Sequence, residues 1–293
     1  MSADPAPPLL EETPVERQDT GPAPRTTERP AWAPPEVDID TPSIARVYDH
    51  WIGGTHNFAV DRELARKVAA GNPDLPATLK ANRAFLRRAV RELSALGIRQ
   101  FLDIGSGIPA EGNVHDVALA AHTDSTVVYV DIDPVAVAHG RALLAGEPRA
   151  AVFQGDLYKS REILEAEETR RLIDFDRPVA LILAAVLHFV PDGDNPLALV
   201  RQYTERLAPG SALVISHAGA EEVPRTAPEA AEQYRGAVSQ VIWRDNRELA
   251  ALFEDFELVA PGVVRAPLWR PEPAETPDPA LAMLAGVAVK PAR

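Results

Sequence analysis

The stretch Phe101-Leu102-Asp103-Ile104-Gly105-Ser106-Gly107-Ile108-Pro109 decides the fold that this sequence predicts. Its apolar residues suit a short buried strand, which ends at an acid and runs into a glycine turn. Gly105 and Gly107 permit a sharp turn and let a ligand approach the backbone closely. Pro109 is typical of a first helical residue, and the apolar stripe after it indicates a helix. Strand, glycine turn and helix together predict the nucleotide-binding opening of a doubly wound α/β domain.

The carboxylate of Asp103 indicates which ligand this turn receives. Gly105, Gly107 and Ala110 also fit the dinucleotide pattern G-x-G-x-x-G/A, which is a weak signal by itself. An acid two residues before the first glycine would repel the pyrophosphate of a dinucleotide, but it would attract the sulfonium and ammonium groups of S-adenosylmethionine (SAM). We therefore expect SAM as the cofactor, held by Asp103, Gly105, Ser106 and Gly107. The alternative is that Asp103 only caps amides of the loop.

Composition restricts the kind of partner. The 293 residues are 46% hydrophobic and 25% charged, which allows one large domain with appendages. The net charge of −13 disfavours a nucleic-acid partner. The absence of cysteine excludes disulfides and cysteine-ligated zinc, and we expect no metal. No apolar run approaches the ~20 residues of a membrane span, so we expect no membrane partner. No secretory signal is visible, which makes the cytoplasm the expected location, while the oligomeric state stays open.

Two segments precede the predicted nucleotide-binding domain, which we place at residues 98–293. Residues 1–40 are rich in proline and acids, which predicts a disordered, solvated tail, with a partner-binding role as the alternative. Residues 41–97 predict a helical cap of three helices: one through Ile44 and Trp51, one opened by Asp61, and one over about 77–96. The turn between the first two contains His56 and Asn57, which are candidates for a ligand site or for an ordinary helix corner.

Acids also follow the next two predicted strands. Asp131 ends the apolar run 127–130, where an acid can bind the ribose hydroxyls of an adenosine ligand. Asp133 precedes Pro134, which is typical of a helix N-cap, so we assign Asp133 to structure. Asp156 and Leu157 follow the third strand, 150–153, where an acid can accept a hydrogen bond from an adenine amino group and an apolar residue can pack on the ring.

The later part of the chain continues the α/β pattern. A uniformly apolar fourth strand at 178–185 leads into His188, the best-placed candidate for a general base, although a lone histidine beside an apolar run is more often structural. We further predict one surface helix over 162–173, an amphipathic helix over 229–242, and a capping box at Asp245 and Glu248. The last two strands are expected at 257–260 and 284–289.

Several long motifs resemble one family. They are Ser43-Ile44-Ala45-Arg46-Val47-Tyr48-Asp49, Gly53-Gly54 with Asn57-Phe58 and Asp61-Arg62, Ala81-Asn82-Arg83-Ala84-Phe85-Leu86-Arg87-Arg88, residues 100–107, Asn113-Val114-His115, and Val186-Leu187-His188-Phe189-Val190-Pro191. Over about 41–290 the chain resembles the SAM-dependent methyltransferase family of high-GC bacteria, formerly a domain of unknown function within the class I methyltransferases.

This resemblance implies a fold and a cofactor site. The fold would be a Rossmann-like, seven-stranded and mostly parallel sheet with helices on both faces. SAM would lie at the carboxyl ends of strands one to four, which adds Ile132 and Ala184 to the site. Relatives usually continue Asp-Leu with Arg-Asp-Pro, whereas this chain has Tyr158-Lys159-Ser160, so the local loop is expected to differ. Arg83 either pairs with the cofactor carboxylate or makes a structural salt bridge.

The expected reaction is methyl transfer to a small-molecule acceptor. Such a displacement needs mainly proximity and alignment, and a base only where the acceptor is protonated. His188 is the candidate base, with Tyr48, His56 and Asn57 in the substrate pocket. No Asn-Pro-Pro-Tyr-like motif follows strand four, which argues against nucleobase amino groups as acceptors. Two alternatives stay open: a SAM-binding regulatory protein without turnover, and an NAD-dependent oxidoreductase.

Overall fold

The computed structural model describes residues 29–30, 33, 35, 37–110, 112–220, 240–273 and 283–292 of the chain. Within them, eight strands form one sheet in the order β3-β2-β1-β4-β5-β8-β6, with β7 also paired to β8. The strands are β1 (Gln100–Ile104), β2 (Thr126–Asp131), β3 (Ala150–Gln154), β4 (Val179–Ala184), β5 (Ala212–Ala218), β6 (Glu257–Leu258), β7 (Val264–Arg265) and β8 (Met283–Val289).

The strand directions are those of a doubly wound sheet. Strands β1 to β5 pair in parallel, and β8 runs antiparallel to β5, β6 and β7. The order reverses between β1 and β4, so the carboxyl ends of these two strands open a crevice where such sheets bind ligands. Successive residues of β1 enter opposite core layers, with Phe101 on one face and Leu102 and Ile104 on the other.

Helices cover both faces of the sheet. They are α1 (Ile44–Ile52), α2 (Ala59–Gly71), α3 (Leu75–Ala95), α4 (Val114–Ala121), α5 (Pro134–Leu143), α6 (Ser160–Glu165), α7 (Glu167–Leu172), α8 (Pro196–Thr204) and α9 (Asn246–Ala251). Asp133 caps α5 by accepting a hydrogen bond from the Val135 N–H at 2.7 Å, as its position before Pro134 predicts. The capping box at Asp245 and Glu248 opens α9.

A buried ionic cluster joins the helical cap to the rest of the fold. The Arg46 guanidinium donates to Asp61 at 2.9 Å and reaches Asp133 at 3.5 Å. Asp61 also accepts the backbone N–H of Phe58 at 2.7 Å, and the Ser43 hydroxyl donates to Asp133. Because Asp133 begins α5 while Ser43 and Arg46 belong to the start of α1, these contacts fix α1 over the carboxyl edge of the sheet.

The structure corrects four details of the predicted fold. Ala33 and Val37 are buried, the latter only 2% exposed, so packed structure begins before residue 41. The surface helix predicted over 162–173 is two helices, because Ala166 between them adopts an extended ψ of 149°. Strand β7 was not predicted, and β6 has two residues rather than four. Most of the amphipathic helix predicted at 229–242, and residues 1–28, lie outside the described residues.

Candidate functional site

The main cavity of the described structure lies where the parallel strands end. It has a volume of about 450 Å³ and is bounded by the carboxyl ends of β1 to β4 and by α1 and α3. Its size falls within the ~300–1,000 Å³ range of small-molecule and cofactor pockets. The predicted residues that line it are Tyr48, Arg83, Asp103, Gly105, Ser106, Gly107, Asp131, Ile132, Asp156, Leu157 and Ala184.

The glycine turn shapes one wall of this cavity. Gly105 has a φ of +74°, which residues with a Cβ rarely adopt. A Cβ at this position would also lie 2.7 Å from the Cγ2 atom of Val186, which follows β4. The sequence therefore needs glycine here for both reasons, and the close packing leaves the backbone of the turn facing the cavity.

Asp131 connects the glycine turn to the second strand. Its Oδ2 atom accepts the Gly107 N–H at 2.7 Å, and its Oδ1 atom accepts the Asp133 N–H at 2.9 Å. Each carboxylate oxygen has a second lone pair, so both atoms can accept a further hydrogen bond from a ligand hydroxyl. Burial raises the pKa of Asp131 to about 6, although these backbone hydrogen bonds act in the opposite direction.

Asp103 is a buried acid that faces the same cavity. It is 3% exposed, and its carboxylate makes no hydrogen bond or ion pair to the residues that the structure describes. Burial raises the pKa of Asp103 to about 7; the nearby Arg83 lowers it and Asp131 raises it. A buried carboxyl group without a partner is costly to ionise, so a cation placed beside it would be strongly favoured.

Two neighbours on α3 add a cation and an amide. Arg83 donates to the Ile108 carbonyl at 3.2 Å, and its guanidinium carbon lies 5.5 Å from the centre of the Tyr48 ring. Asn82 donates to the Tyr48 hydroxyl at 3.3 Å, while its Oδ1 atom is buried without a hydrogen-bond partner among the described residues. An amide oxygen and a carboxylate that border one cavity without hydrogen-bond partners among the described residues suit a ligand that carries N–H donors.

Ile132, Asp156 and Leu157 line a further part of the main cavity. Ile132 is 65% exposed, although most isoleucines are buried. The Tyr203 hydroxyl donates to the Leu157 carbonyl at 2.6 Å and so fixes the backbone of that residue. Asp156 accepts the Tyr158 N–H at 2.9 Å, which closes the turn after β3. Ile132 and Leu157 therefore contribute apolar side chains to the cavity lining, and Asp156 contributes a carboxylate.

A smaller cavity adjoins the main one and includes His188. We call this hollow of about 110 Å³ the side chamber; it is lined by Ile44, Tyr48, Trp51, Val68, Asn72, Leu75, Leu79, Ala185, His188, Phe189, Ala218, Val241, Trp243 and Met283. Ile44, Tyr48, Ala185 and Phe189 border both cavities, so the two spaces share a wall.

His188 is held in an apolar setting next to a second histidine. Its ring lies 5.6 Å from that of His217 at an angle of 90°. The Arg244 Nη1 atom lies 2.6 Å from Nε2 of His217, which must accept because guanidinium has no acceptor. His217 is therefore neutral and carries its hydrogen on Nδ1, which lies 2.9 Å from the Ala218 carbonyl. Burial, and then the nearby His217 and Arg244, lower the pKa of His188 well below its ordinary value.

Two predicted pocket residues lie elsewhere. The Asn57 side chain donates to Asp49 at 2.8 Å and to the Gly54 carbonyl at 3.0 Å, which stabilises the turn between α1 and α2. His56 packs against His139 of α5, with ring centres 3.7 Å apart and the rings tilted by 49°. Neither borders the main cavity or the side chamber. Their assignment to the substrate pocket stays a prediction without a supporting contact.

Sequence reasoning did not assign several residues that border the cavities. The sequence predicts no role for Asn82, although it adjoins Arg83, and none for Phe189, Trp243 or Asn72. Helical spacing could have found Asn82, since it lies one turn after Thr78 on the buried face of α3. Trp243 gave no such signal, because it lies outside regular structure.

The fold and the cavity together define a class of protein. A doubly wound sheet with an acid at the end of β1, a glycine turn and a second acid at the end of β2 is the cofactor-binding arrangement of class I SAM-dependent methyltransferases. A family model described as S-adenosyl methyltransferase matches residues 30–291. The chain therefore belongs to the S-adenosyl methyltransferase family, and it is a SAM-dependent methyltransferase whose acceptor is unidentified.

Solved structures agree with this assignment. The chain is 40% identical to a proposed methyltransferase from Thermobifida fusca, with a TM-score of 0.84, over 90% of this chain and 100% of that one. It is 38% identical to a DUF574 family protein from Streptomyces avermitilis, with a TM-score of 0.83, over 87% of this chain and 99% of that one. A search of curated proteins found no match.

Two further properties concern the described residues alone. None of their helices is both long and apolar enough to cross a membrane. Within the same residues, no group of three or more histidine or acidic side chains is arranged to hold a metal ion.

Proposed function

We propose that SAM binds in the main cavity through Asp103, Asn82 and Arg83 at its amino-acid end. Asp103 and the Asn82 Oδ1 atom would accept hydrogen bonds from the ammonium group, because both lack partners among the described residues. Arg83 would pair with the carboxylate through charge-assisted hydrogen bonds. The unpartnered, buried carboxylate of Asp103 is the observation that supports this proposal best.

The remaining predicted residues would hold the adenosine part. Asp131 would accept the ribose hydroxyls with the lone pairs that Gly107 and Asp133 do not use. Ile132 and Leu157 would pack on the adenine faces, and Asp156 would accept its amino group. The cofactor would also contact three uncharged residues of the lining, Gly105, Ser106 and Ala184.

The charge of the site supports a cationic ligand over a dinucleotide. Asp103 and Asp131 both border the main cavity and interact with each other electrostatically. A pyrophosphate near these two acids would add like charge in a poorly solvated site, which is strongly unfavourable. Arg83 offsets one of the two acids, which suits a ligand with one carboxylate and two cationic groups.

The methyl acceptor is proposed to be a small molecule that meets the cofactor site at the wall shared with the side chamber. When bound, SAM supplies a methyl group on a cationic sulfur. The protein would align the acceptor, exclude water and remove a proton where the acceptor carries one, with His188 as the candidate base. We place this activity in the cytoplasm.

Calorimetry on the full chain tests the proposed binding site. SAM and S-adenosylhomocysteine should bind, whereas NAD should not. Asp103→Asn should weaken SAM binding by roughly 1–3 kcal/mol, as expected for loss of a charged hydrogen-bond partner. Asp124→Asn is a matched control, because Asp124 is an exposed acid that pairs with Arg99 at 3.6 Å far from the cavity. Uptake of NAD without uptake of SAM would overturn the proposal.

A further inference from the structure

The side chamber has a wall chemistry that differs from that of the main cavity. Four aromatic side chains contribute to its lining: Tyr48, Trp51, Phe189 and Trp243. Most of its other lining residues are aliphatic, and none of the described residues that line it is Asp, Glu, Lys or Arg. A charged acceptor placed there would lose its hydration without gaining an ionic partner among the described lining residues, so the chamber favours an uncharged and largely apolar molecule.

The volume of the chamber limits the size of that molecule. An apolar protein cavity of about 150 Å³ is large enough to hold benzene. The side chamber measures about 110 Å³ and shares a wall with the main cavity. The chamber is smaller than that cavity, so it has room for no more than one aromatic ring, and any substituent would extend toward the shared wall, where Phe189 and Tyr48 lie. Flat aromatic walls also favour planar rings through edge and offset stacking.

His188 is one of the polar residues that line the chamber, together with Asn72 and Tyr48. It is 7% exposed, and its Nδ1 atom is enclosed without a hydrogen-bond partner among the described residues. No hydrogen bond to its other ring nitrogen is made by the part of the chain that the structure describes. A buried polar group without a partner is costly, so a ligand hydroxyl that hydrogen-bonds to the ring would be favoured.

We infer that the side chamber binds the methyl acceptor as an uncharged, single-ring phenol whose hydroxyl hydrogen-bonds to His188. This inference rests on the proposed function, because the donor must occupy the main cavity. The hydroxyl group would lie at the wall that the two cavities share. Aromatic walls, the absence of charge, the volume and the unpartnered histidine all select the same class of molecule.

The phenol, SAM and His188 account for every bond, proton and electron pair of the transfer. The phenol oxygen forms a bond to the methyl carbon while the carbon–sulfur bond breaks, and sulfur keeps the electron pair of that bond. The hydroxyl proton passes to His188. The products are an aryl methyl ether, the neutral thioether and a protonated imidazole, which returns its proton to water when the ether leaves. The reacting groups carry a total charge of +1 both before the transfer, on the sulfur, and after it, on the imidazole.

Binding of simple ligands to the full chain, saturated with S-adenosylhomocysteine, tests the inference. Calorimetry should detect phenol but neither benzoate nor benzylammonium, which carry charge. Ala218→Leu fills part of the chamber and should weaken phenol binding by roughly tenfold or more. A mismatch of one methylene group in an apolar pocket has an effect of this size. It should leave the affinity for S-adenosylhomocysteine unchanged, because Ala218 does not border the main cavity.

A second variant keeps the test valid if Ala218→Leu does not fold. Trp243→Ala enlarges the chamber and should shift the preference from phenol toward 2-naphthol by about tenfold or more. The inference is overturned if S-adenosylhomocysteine binds but phenol does not, or if both variants bind the two phenols as the parent does. Failure to bind S-adenosylhomocysteine at all would instead refute the proposed function and, with it, this inference.

His188 has its own pair of measurements. His188→Ala should weaken phenol binding by roughly tenfold, the scale of one hydrogen bond, but should not alter binding of anisole, which has no hydroxyl donor. With labelled SAM, kcat for phenol should fall by about 100-fold, whereas a more acidic fluorinated phenol should lose much less activity because it needs less help to ionise. Equal losses of affinity for phenol and anisole would refute the role of His188.

Discussion

Gly107 donates its backbone N–H to Oδ2 of Asp131 at 2.7 Å, which ties the turn after β1 to the end of β2. The same carboxylate accepts the Asp133 N–H through its other oxygen. One side chain thus positions the glycine turn and also presents a buried acid to the main cavity. Loss of this acid should therefore change both the shape and the charge of the cofactor site.

Asp131→Ala should weaken SAM binding by roughly 1–3 kcal/mol, since a charged hydrogen-bond partner is lost. Asp131→Asn keeps an oxygen that can accept the Gly107 N–H but removes the charge, so its loss should be smaller than that of the alanine variant. Calorimetry on both variants measures the difference. Unchanged affinity in Asp131→Ala would assign the ribose to another residue.

The affinity for SAM should rise with pH between about pH 6 and 8. Burial raises the pKa of Asp103 to about 7 and that of Asp131 to about 6, so both are partly protonated at the low end of this range. Only the ionised forms attract the cationic ligand, and binding should therefore release protons. The gain should be roughly tenfold per pH unit where one proton is released.

Calorimetry in two buffers of different ionisation enthalpy measures this proton release directly. Asp103→Asn should reduce both the release and the slope of affinity against pH around pH 7. Binding that takes up protons, or a slope that persists unchanged in this variant, would show that another group controls the pH dependence.

The elements that define the fold were predictable because each has a strong local cause. The apolar run before Asp103 predicts β1, and Asp133 before Pro134 predicts the start of α5; both are observed. Val37 shows the opposite case. The surrounding prolines and acids predict a solvated tail, yet this side chain packs in a cluster with Phe58, Ile108 and Val135, which only the tertiary structure brings together.

The residues of the candidate site also differ in whether local sequence or only the tertiary structure brings them together. Apart from Arg83 on α3, each predicted cofactor residue lies at a strand end or next to one, where topology alone places it at the crevice. The side chamber, by contrast, combines α1, α2, α3, the segment after β4, β5, β8 and the segment around Trp243. No sequence spacing relates those residues. Asn57 stays a prediction, since a polar side chain in a turn can satisfy backbone groups, as Asn57 does with the Gly54 carbonyl, as readily as a ligand.

Asp103→Asn should stabilise the ligand-free protein at pH 8 while it weakens SAM binding. The pKa of Asp103 is raised from 3.8 to about 7 in the folded state. The folded chain therefore binds more protons than the unfolded chain between these values, and stability falls as pH rises through that window. Above it the full penalty is present, so removing the carboxylate should add on the order of 1–3 kcal/mol to the free energy of unfolding.

Urea unfolding at pH 8 and near pH 4 checks this sign. The gain should be large at pH 8 and small near pH 4, where the carboxyl group is protonated in the folded state. A variant that is less stable than the parent at pH 8 would mean that Asp103 makes a favourable interaction in the ligand-free protein.

Asp61→Ala should destabilise the protein by about 3–5 kcal/mol, the usual effect of removing one member of a buried ion pair. Arg46 would lose its partner at 2.9 Å, and the Phe58 and Ser43 N–H groups would lose their acceptor. Glu63→Ala on the same helix is the control. Its pair with Lys67 is exposed, so the change should cost only about 0.2–0.5 kcal/mol.

The same two variants separate the stability of the helical cap from binding at the site. α1 contributes Tyr48 to the wall shared by both cavities, so loosening its anchor should weaken SAM binding as well as folding. Urea unfolding gives the first quantity, and calorimetry at a temperature where the variant stays folded gives the second. If Asp61→Ala unfolds more easily yet binds SAM with the affinity of the parent, the cap stabilises the fold without shaping the cofactor site.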